Sequence, residues 1–252
     1  MFEPKDTHKP ASKPNIKIAI CYWGLIRTLR EVFPSQQKYV YSELDAHGIE
    51  YDTYIHTWIT DKNIVWNIEM EEPIDYDSVN VINPVAKQLD YQDEFSRTIN
   101  MSDYYYENTY EWEQFLIRNH LCALESQKRC AELCFKSGKK YDYVMFLRPD
   151  ALINKRLPVE AIFGEHFSDT TIIIPNYNHW EGWNDQFAIM PYHLVKPYSH
   201  RINGIIDFRK TNGRIVSEKY VKYVIDLCFS DPLQIDFHFD LLRPNGKLNG
   251  NI

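Results

Sequence analysis

Apolar residues in this chain come in short runs that end at glycine or charge, separated by segments with a helical period. Lys17-Ile18-Ala19-Ile20-Cys21-Tyr22-Trp23-Gly24 is such a run, the pattern of a strand buried on both faces that ends in a loop. From Ser35 to His47 the period becomes helical: Ser35 is placed as a cap, Val40 and Leu44 share a face, and Gly48 stops the segment. Tyr51 to Trp58 is a second strand. Strand, helix and strand thus follow in the order of a right-handed crossover within a parallel sheet. The stretch from Thr60 to Met101 is irregular, with Val79-Asn80-Val81-Ile82 as the candidate third strand.

A long helix is predicted from Asn108, which has capping-box spacing with Glu111, as far as Gly138. Trp112, Phe115, Leu116, Cys122, Ala123, Cys130 and Leu133 recur along it at helical intervals. Tyr141 to Leu147 is the strongest strand, with Arg148-Pro149-Asp150 at its carboxyl end. Thr170 to Pro175 is a further strand that leads into an aromatic loop, Asn176 to Asp185, and Gln186 to Met190 follows as another. Ser217 to Phe229 reads as a late helix with Val221, Val224, Ile225 and Cys228 inward, and Pro232 ends it. The tail from Ile235 to Pro244 alternates polar and apolar, as a strand running back toward the site would. The expected class is α/β, a mostly parallel central sheet flanked by helices in one domain over residues 16–252. Residues 1–15, with Pro4, Pro10 and Pro14 among charges, are expected to form a flexible arm.

Composition narrows the function. Lys and Arg number 28 against 35 Asp and Glu, a net charge of −7, and no basic stripe is present, which argues against nucleic acid as a partner. No apolar run approaches the roughly 18–20 residues of a membrane span. The polar start lacks a signal-peptide core, so a soluble, cytoplasmic protein is expected, in the host cytoplasm if it is viral. The five cysteines lack zinc-site spacing and are read as buried reduced thiols. Aromatic residues reach 15%, with 18 Tyr, which fits either thick aromatic packing or stacking on sugars and bases.

Open α/β sheets bind ligands beyond the carboxyl ends of their strands. The residues placed there are Tyr22-Trp23-Gly24 with Arg27, His56-Thr57-Trp58, Arg148-Pro149-Asp150, and Trp180-Glu181-Gly182-Trp183-Asn184-Asp185. A single glycine follows the first strand and no GxxxxGK[ST] occurs, which weighs against a dinucleotide fold and a P-loop kinase.

Ile18 to Trp23, Tyr51 to Trp58, Tyr141 to Ile153 around Arg148-Pro149-Asp150, and Asn184 to Ile189 together resemble the GT-A-fold, nucleotide-sugar-dependent glycosyltransferases. They are most similar to the small transferase-like proteins of large DNA viruses and some bacterial polysaccharide loci. The resemblance spans roughly residues 16–245 and implies a GT-A-like, Rossmann-like domain. It also implies a nucleoside-diphosphate sugar donor, and an acceptor hydroxyl on a glycan or another molecule. The family places an Asp-x-Asp motif at the end of a central strand, where carboxylates hold Mn²⁺ or Mg²⁺ against the donor diphosphate. Asp150 matches the last Asp of that motif, while Arg148 stands in place of the first. This departure weakens the case for a divalent cation and offers a guanidinium to the phosphates instead. A surface ion pair at a strand end is the competing role for Arg148 and Asp150.

Under the same resemblance Gly182, Trp183 and Trp180 face the acceptor and His238 completes the metal shell. In an inverting reaction Asp185 takes the proton of the acceptor hydroxyl; a retaining enzyme needs no such base. Tyr22, Trp23, Gly24 and Arg27 border the nucleotide, and His56 and Thr57 contact the donor. The competing roles are core packing for Tyr22 and the tryptophans, a turn or cap for Asp185, and structural hydrogen bonds for His56 and His238. Two other functions share these residues: a transferase-like binding module without turnover, and a nucleotidyltransferase attacking at phosphorus.

Overall fold

The computed structural model describes residues 16–65, 68–106, 113–164 and 168–248. The expected arm at 1–15, the Asn108/Glu111 cap and Trp112 lie outside them. Strand β1 (Lys17–Trp23) leads through α1 (Leu29–Gln36) and α2 (Ser42–Ala46), joined by a π-helical turn at Gln37–Tyr41, into β2 (Glu50–Ile59). A small hairpin of β3 (Ile64–Val65) and β4 (Ile68–Glu69) precedes β5 (Ala86–Tyr91) and α3 (Gln92–Ser96). Helix α4 (Gln114–Lys136) returns the chain to β6 (Tyr143–Leu147), followed by β7 (Ala151–Ile153) and α5 (Val159–Phe163). Strands β8 (Ile173–Pro175) and β9 (Phe187–Pro191) flank the aromatic loop. Helices α6 (Val195–Ser199), α7 (Ile205–Asn212) and α8 (Ser217–Cys228) then lead to β10 (Leu233–Ile235) and β11 (Phe239–Leu241).

Seven strands form one sheet in the order β10-β8-β9-β6-β1-β2-β5, and all run parallel except β9. This is the expected mostly parallel sheet flanked by helices. Counted in chain order it reads 3-2-1-4-6-5-7, opening with the 3-2-1-4 arrangement of doubly wound nucleotide-binding sheets. The order switches between β1 and β6, the kind of point outside whose strand ends sheets of this class bind ligands.

The continuous apolar run of β1 is explained by burial of both its faces. Ile18, Ile20 and Tyr22 pack with Val40, Leu44 and Ile162 of the α1, α2 and α5 side. Ala19, Cys21 and Trp23 pack on the other side with Cys130, Ala131 and Cys134 of α4 and with α6 and α8. Small side chains on both partners let α4 lie close to the sheet. Four of the five cysteines are buried free thiols as expected; Cys228, the last residue of α8, is exposed. The buried face of α4 carries Ile117, Leu121, Leu124 and Cys130, but also Ser126 and Gln127. Those polar residues mask part of the face from a purely apolar count, while Cys122 and Cys130 of the predicted stripe lie on it and Ala123 and Leu133 pack beside it.

Three further expectations are corrected. Val79–Ile82 is not a strand: Tyr76–Asn80 form a 3-10 turn nucleated by Asp75, whose side chain accepts the Asp77 N–H at 3.1 Å, and Val79 and Ile82 plug the core from it. The third parallel strand is β5, an edge strand whose Lys87, Gln88 and Asp90 hide it from an apolar count. Ser35 does not cap a helix; it sits inside α1 and receives the Ile153 N–H at 2.9 Å. The tail is not one continuous strand, since only Phe239–Leu241 within it is extended in a sheet and Ile235 ends the strand before it. β10 joins the main sheet, and β11 pairs antiparallel with β7 and carries the chain back to Asp150.

Candidate functional site

Strand register assembles the site. Trp23 lies opposite His56, Tyr22 opposite Leu147, and Leu147 opposite Phe187. Because β9 is antiparallel, its amino end shares an edge with the carboxyl ends of β1 and β6. Gly24, Arg148 and Asp185 therefore meet at the switch point although the chain separates them widely.

Asp150 is completely buried there. Arg148 grips it with two bonds, from Nε to Oδ1 and from Nη2 to Oδ2, each 2.8 Å. Arg243 Nη1 lies 3.4 Å from Oδ2. Arg243 arrives at the end of β11, where Leu242 N donates to the Asp150 carbonyl at 3.0 Å and Thr28 Oγ1 donates to the Leu242 carbonyl at 2.9 Å. Half-buried Arg27, in the loop after β1, is held by Asn63 Oδ1 at 3.1 Å and the Ile64 carbonyl at 2.5 Å, and its charge also acts on Asp150. The Arg148 guanidinium is 5.5 Å from the centre of the Trp23 ring.

The charges are unbalanced. Burial would raise the Asp150 pKa, but Arg148, then Arg243 and Arg27, hold it below the usual carboxylate range. Burial pulls Arg27 down to about 10, with Arg148 and Arg243 pushing the same way against Asp150. Arg243 is lowered by burial too, and by Arg148. Arg148 and Arg243 contact the carboxylate and Arg27 acts on it through its charge, so even with the neighbouring Asp185 ionised the group keeps a net positive charge, roofed by arginine heads that retain some exposure.

Beside this cluster stands half-buried Asp185. Its pKa is raised by burial, and the attraction of Arg201 and Arg148 offsets only part of that. Glu218, in the first turn of α8, is pushed up to about 7 by burial and by the Asp185 charge, against a 2.7 Å bond from Ser217 Oγ. The loop that presents Asp185 is fixed on α8: Trp183 N donates to the Glu218 carbonyl at 3.0 Å. A Cβ on Gly182 would fall 1.9 Å from that same oxygen, so only glycine fits there. Asn184 ties the loop to itself, donating to the Tyr177 carbonyl at 3.2 Å and accepting the Gln186 N–H at 2.9 Å. Buried Arg201 faces this side, and among the described residues its Nε and the Gln127 Nε2 lack hydrogen-bond partners.

Of the residues expected at the site, the fold gathers Trp23, Gly24, Arg27, Arg148, Asp150 and Asp185. Tyr22 is instead sealed in the core, its hydroxyl bonded to Gln36 Oε1 and the Tyr41 hydroxyl, each at 2.9 Å. Thr57 is fully buried. His56 is buried too and acts as a scaffold. Its Nε2 bonds Asp90 at 3.1 Å and its Nδ1 meets Ser126 Oγ at 2.7 Å, while Ser126 Oγ accepts the Gly24 N–H at 2.8 Å. Burial pulls its pKa down to about 4, so the ring is neutral, and a Nε2–H facing the carboxylate is the tautomer that satisfies both contacts. Gly24 itself has φ +97°, which requires glycine. Trp180 stands 83% exposed on the aromatic loop, whereas Trp183 is half-buried against His179.

Arg243, Arg201 and Glu218 belong to this neighbourhood and were not singled out in the sequence. Only the Arg243-Pro244 end of the alternating tail carried a signal, since nothing local marks a residue that reaches the site across more than ninety positions.

The cation implied by the resemblance does not fit the residues present. Both Asp150 oxygens are occupied by arginine, and the first motif position is itself cationic. His238 is stacked on Tyr177 at 4.3 Å and paired with Asp236 at 3.2 Å. Its carbonyl receives the Asn154 N–H, four residues along the β7–β11 ribbon from Asp150 and so roughly 13 Å away. Among the described residues no group of three or more His, Cys, Asp or Glu could hold a metal ion. Among them, too, no helix is long and apolar enough to cross a membrane.

No family model matches the chain, and no curated protein matches it. Among solved structures it is similar to the apo-form glycosyltransferase GlyE of Streptococcus pneumoniae TIGR4, with a TM-score of 0.40 and 10% sequence identity. That match covers 88% of this chain and 45% of the other, so the chain spans less than half the length of that protein.

Proposed function

We propose that this chain is a glycosyltransferase that moves a sugar from a nucleoside-diphosphate donor to an acceptor hydroxyl. The observation that carries this reading is the cluster of Arg27, Arg148 and Arg243 around Asp150 at the switch point of the sheet. It lies where a doubly wound sheet receives ligands, and its excess positive charge suits a diphosphate. The resemblance of the strand-end segments to GT-A-fold enzymes supplies the reaction class.

In the proposed reaction the bond between the anomeric carbon and the phosphate oxygen breaks, and its electron pair leaves with the nucleoside diphosphate. Arg148, Arg243 and Arg27 take up the charge that develops on that leaving group. The acceptor oxygen forms the new bond to the anomeric carbon, and its proton passes to Asp185. A carboxylate with a raised pKa is a stronger base than a free one, and such assistance contributes roughly 10²–10⁴-fold. Exposed Trp180 offers a ring face to the acceptor sugar.

The test is a panel of nucleoside-diphosphate sugars with hydroxyl acceptors, read as release of free nucleoside diphosphate. Release by one donor, cut at least 100-fold in Asp185→Asn, is expected. Release of pyrophosphate from a nucleoside triphosphate would establish a nucleotidyltransferase instead. The engagement of Asp150 by Arg148 favours a second reading, a module that binds a nucleotide sugar without turning it over; tight binding with no release from any donor would decide for it.

A further inference from the structure

We infer that the arginine cluster does the work of the divalent cation, so that the nucleoside diphosphate binds here without metal. This rests on the donor reading above. The carboxylate that would hold a cation is withdrawn from ligands: Asp150 is fully buried and both its oxygens point into Arg148, with Arg243 beside them. A dication placed there would have to displace the bidentate guanidinium and then sit among three positive charges, at close Coulombic range in a partly desolvated site. Among the described residues no further group gathers there to hold a metal ion, and His238 is at the far end of the β7–β11 ribbon.

The cluster also reproduces what the ion would supply. The three guanidiniums outnumber Asp150 and the neighbouring Asp185, so the site keeps a net positive charge for the diphosphate. They present it as fixed N–H donors, which match phosphate oxygens in pairs. Asp150 acts here as an internal counter-anion. It sets the direction of Arg148 and Arg243 before the ligand arrives, so less ordering is needed on binding. The three arginines come from three remote places, the loop after β1, the end of β6 and the end of β11. A free cation would not need that convergence.

The binding of a nucleoside diphosphate to the full chain, measured by calorimetry with excess EDTA and again with Mn²⁺, tests this. Affinity in EDTA equal to or tighter than in Mn²⁺ is expected, because Mn²⁺ competes for the same phosphate oxygens. Arg243→Gln and Arg27→Gln, each checked for folding by circular dichroism, should each weaken the EDTA affinity about 10-fold or more, the loss of one charge-assisted bond. Binding strengthened by Mn²⁺ would overturn the metal-free inference while leaving the donor reading intact. No binding of any nucleoside diphosphate in either condition would overturn both.

Discussion

Asp150→Asn removes the one negative charge beneath three arginines, and its cost follows from the geometry. The carboxylate is fully buried, accepts two 2.8 Å bonds from Arg148 and has Arg243 at 3.4 Å. Breaking a buried ion pair by removing one partner costs about 3–5 kcal/mol, because the remaining charges stay desolvated. For a chain of this size each kcal/mol moves the melting temperature by roughly 2–4 °C, so a fall of ~6–20 °C is expected. Urea unfolding should give the same loss with an unchanged slope. The sign with pH is fixed as well. The folded pKa of Asp150 is depressed, so its contribution is present above the unfolded value of about 3.9 and is lost as pH falls through the folded value. The gap between wild type and variant should therefore be full at pH 7 and close in strong acid. Added diphosphate should raise the variant's melting temperature more than that of wild type, since an anion then supplies the missing charge. A loss under about 1 kcal/mol, the size of an exposed pair, would refute the buried-counter-ion argument.

Glu218 has a folded pKa raised to about 7, so the folded state holds a proton that the unfolded chain releases, and stability falls as pH rises between about 4.5 and 7. Glu218→Gln should flatten that decline in pH-dependent denaturation. His56 has the opposite sign: held neutral with a pKa of about 4, it costs stability as pH falls below about 6.5, and His56→Gln should remove that acid-side loss. Gly182→Ala should destabilise the protein by about 1–3 kcal/mol, because its methyl group collides with the Glu218 carbonyl and lifts the loop from α8. Trp180→Ala, at an exposed ring, should stay within about 0.5 kcal/mol of wild-type stability while raising the KM for a sugar acceptor.

The sequence made the inner strands legible because burial on both faces leaves unbroken apolar runs, as in β1 and β6. It also placed Arg148, Asp150 and Asp185 at strand ends, where register then joined them. Edge strand β5 was not legible, since Lys87, Gln88 and Asp90 interrupt its pattern, and the 3-10 turn at Val79 imitated a strand by burying its apolar residues. Tyr22 and His56 show a different limit. Position at a strand's carboxyl end is readable, but whether a side chain turns to the crevice or into the core depends on partners such as Gln36, Tyr41 and Ser126 from other elements. Arg243 is the clearest case, its role created by β11 returning to β7.

The central claim is that the switch-point arginines are the seat of the donor's phosphates. A crystal of the protein soaked with a nucleoside diphosphate tests it most directly. Phosphate oxygens are expected within about 3 Å of guanidinium nitrogens of Arg148 and Arg243, with Asp150 still beneath them. Phosphates ordered elsewhere on the protein, with the arginine cluster bare, would contradict it.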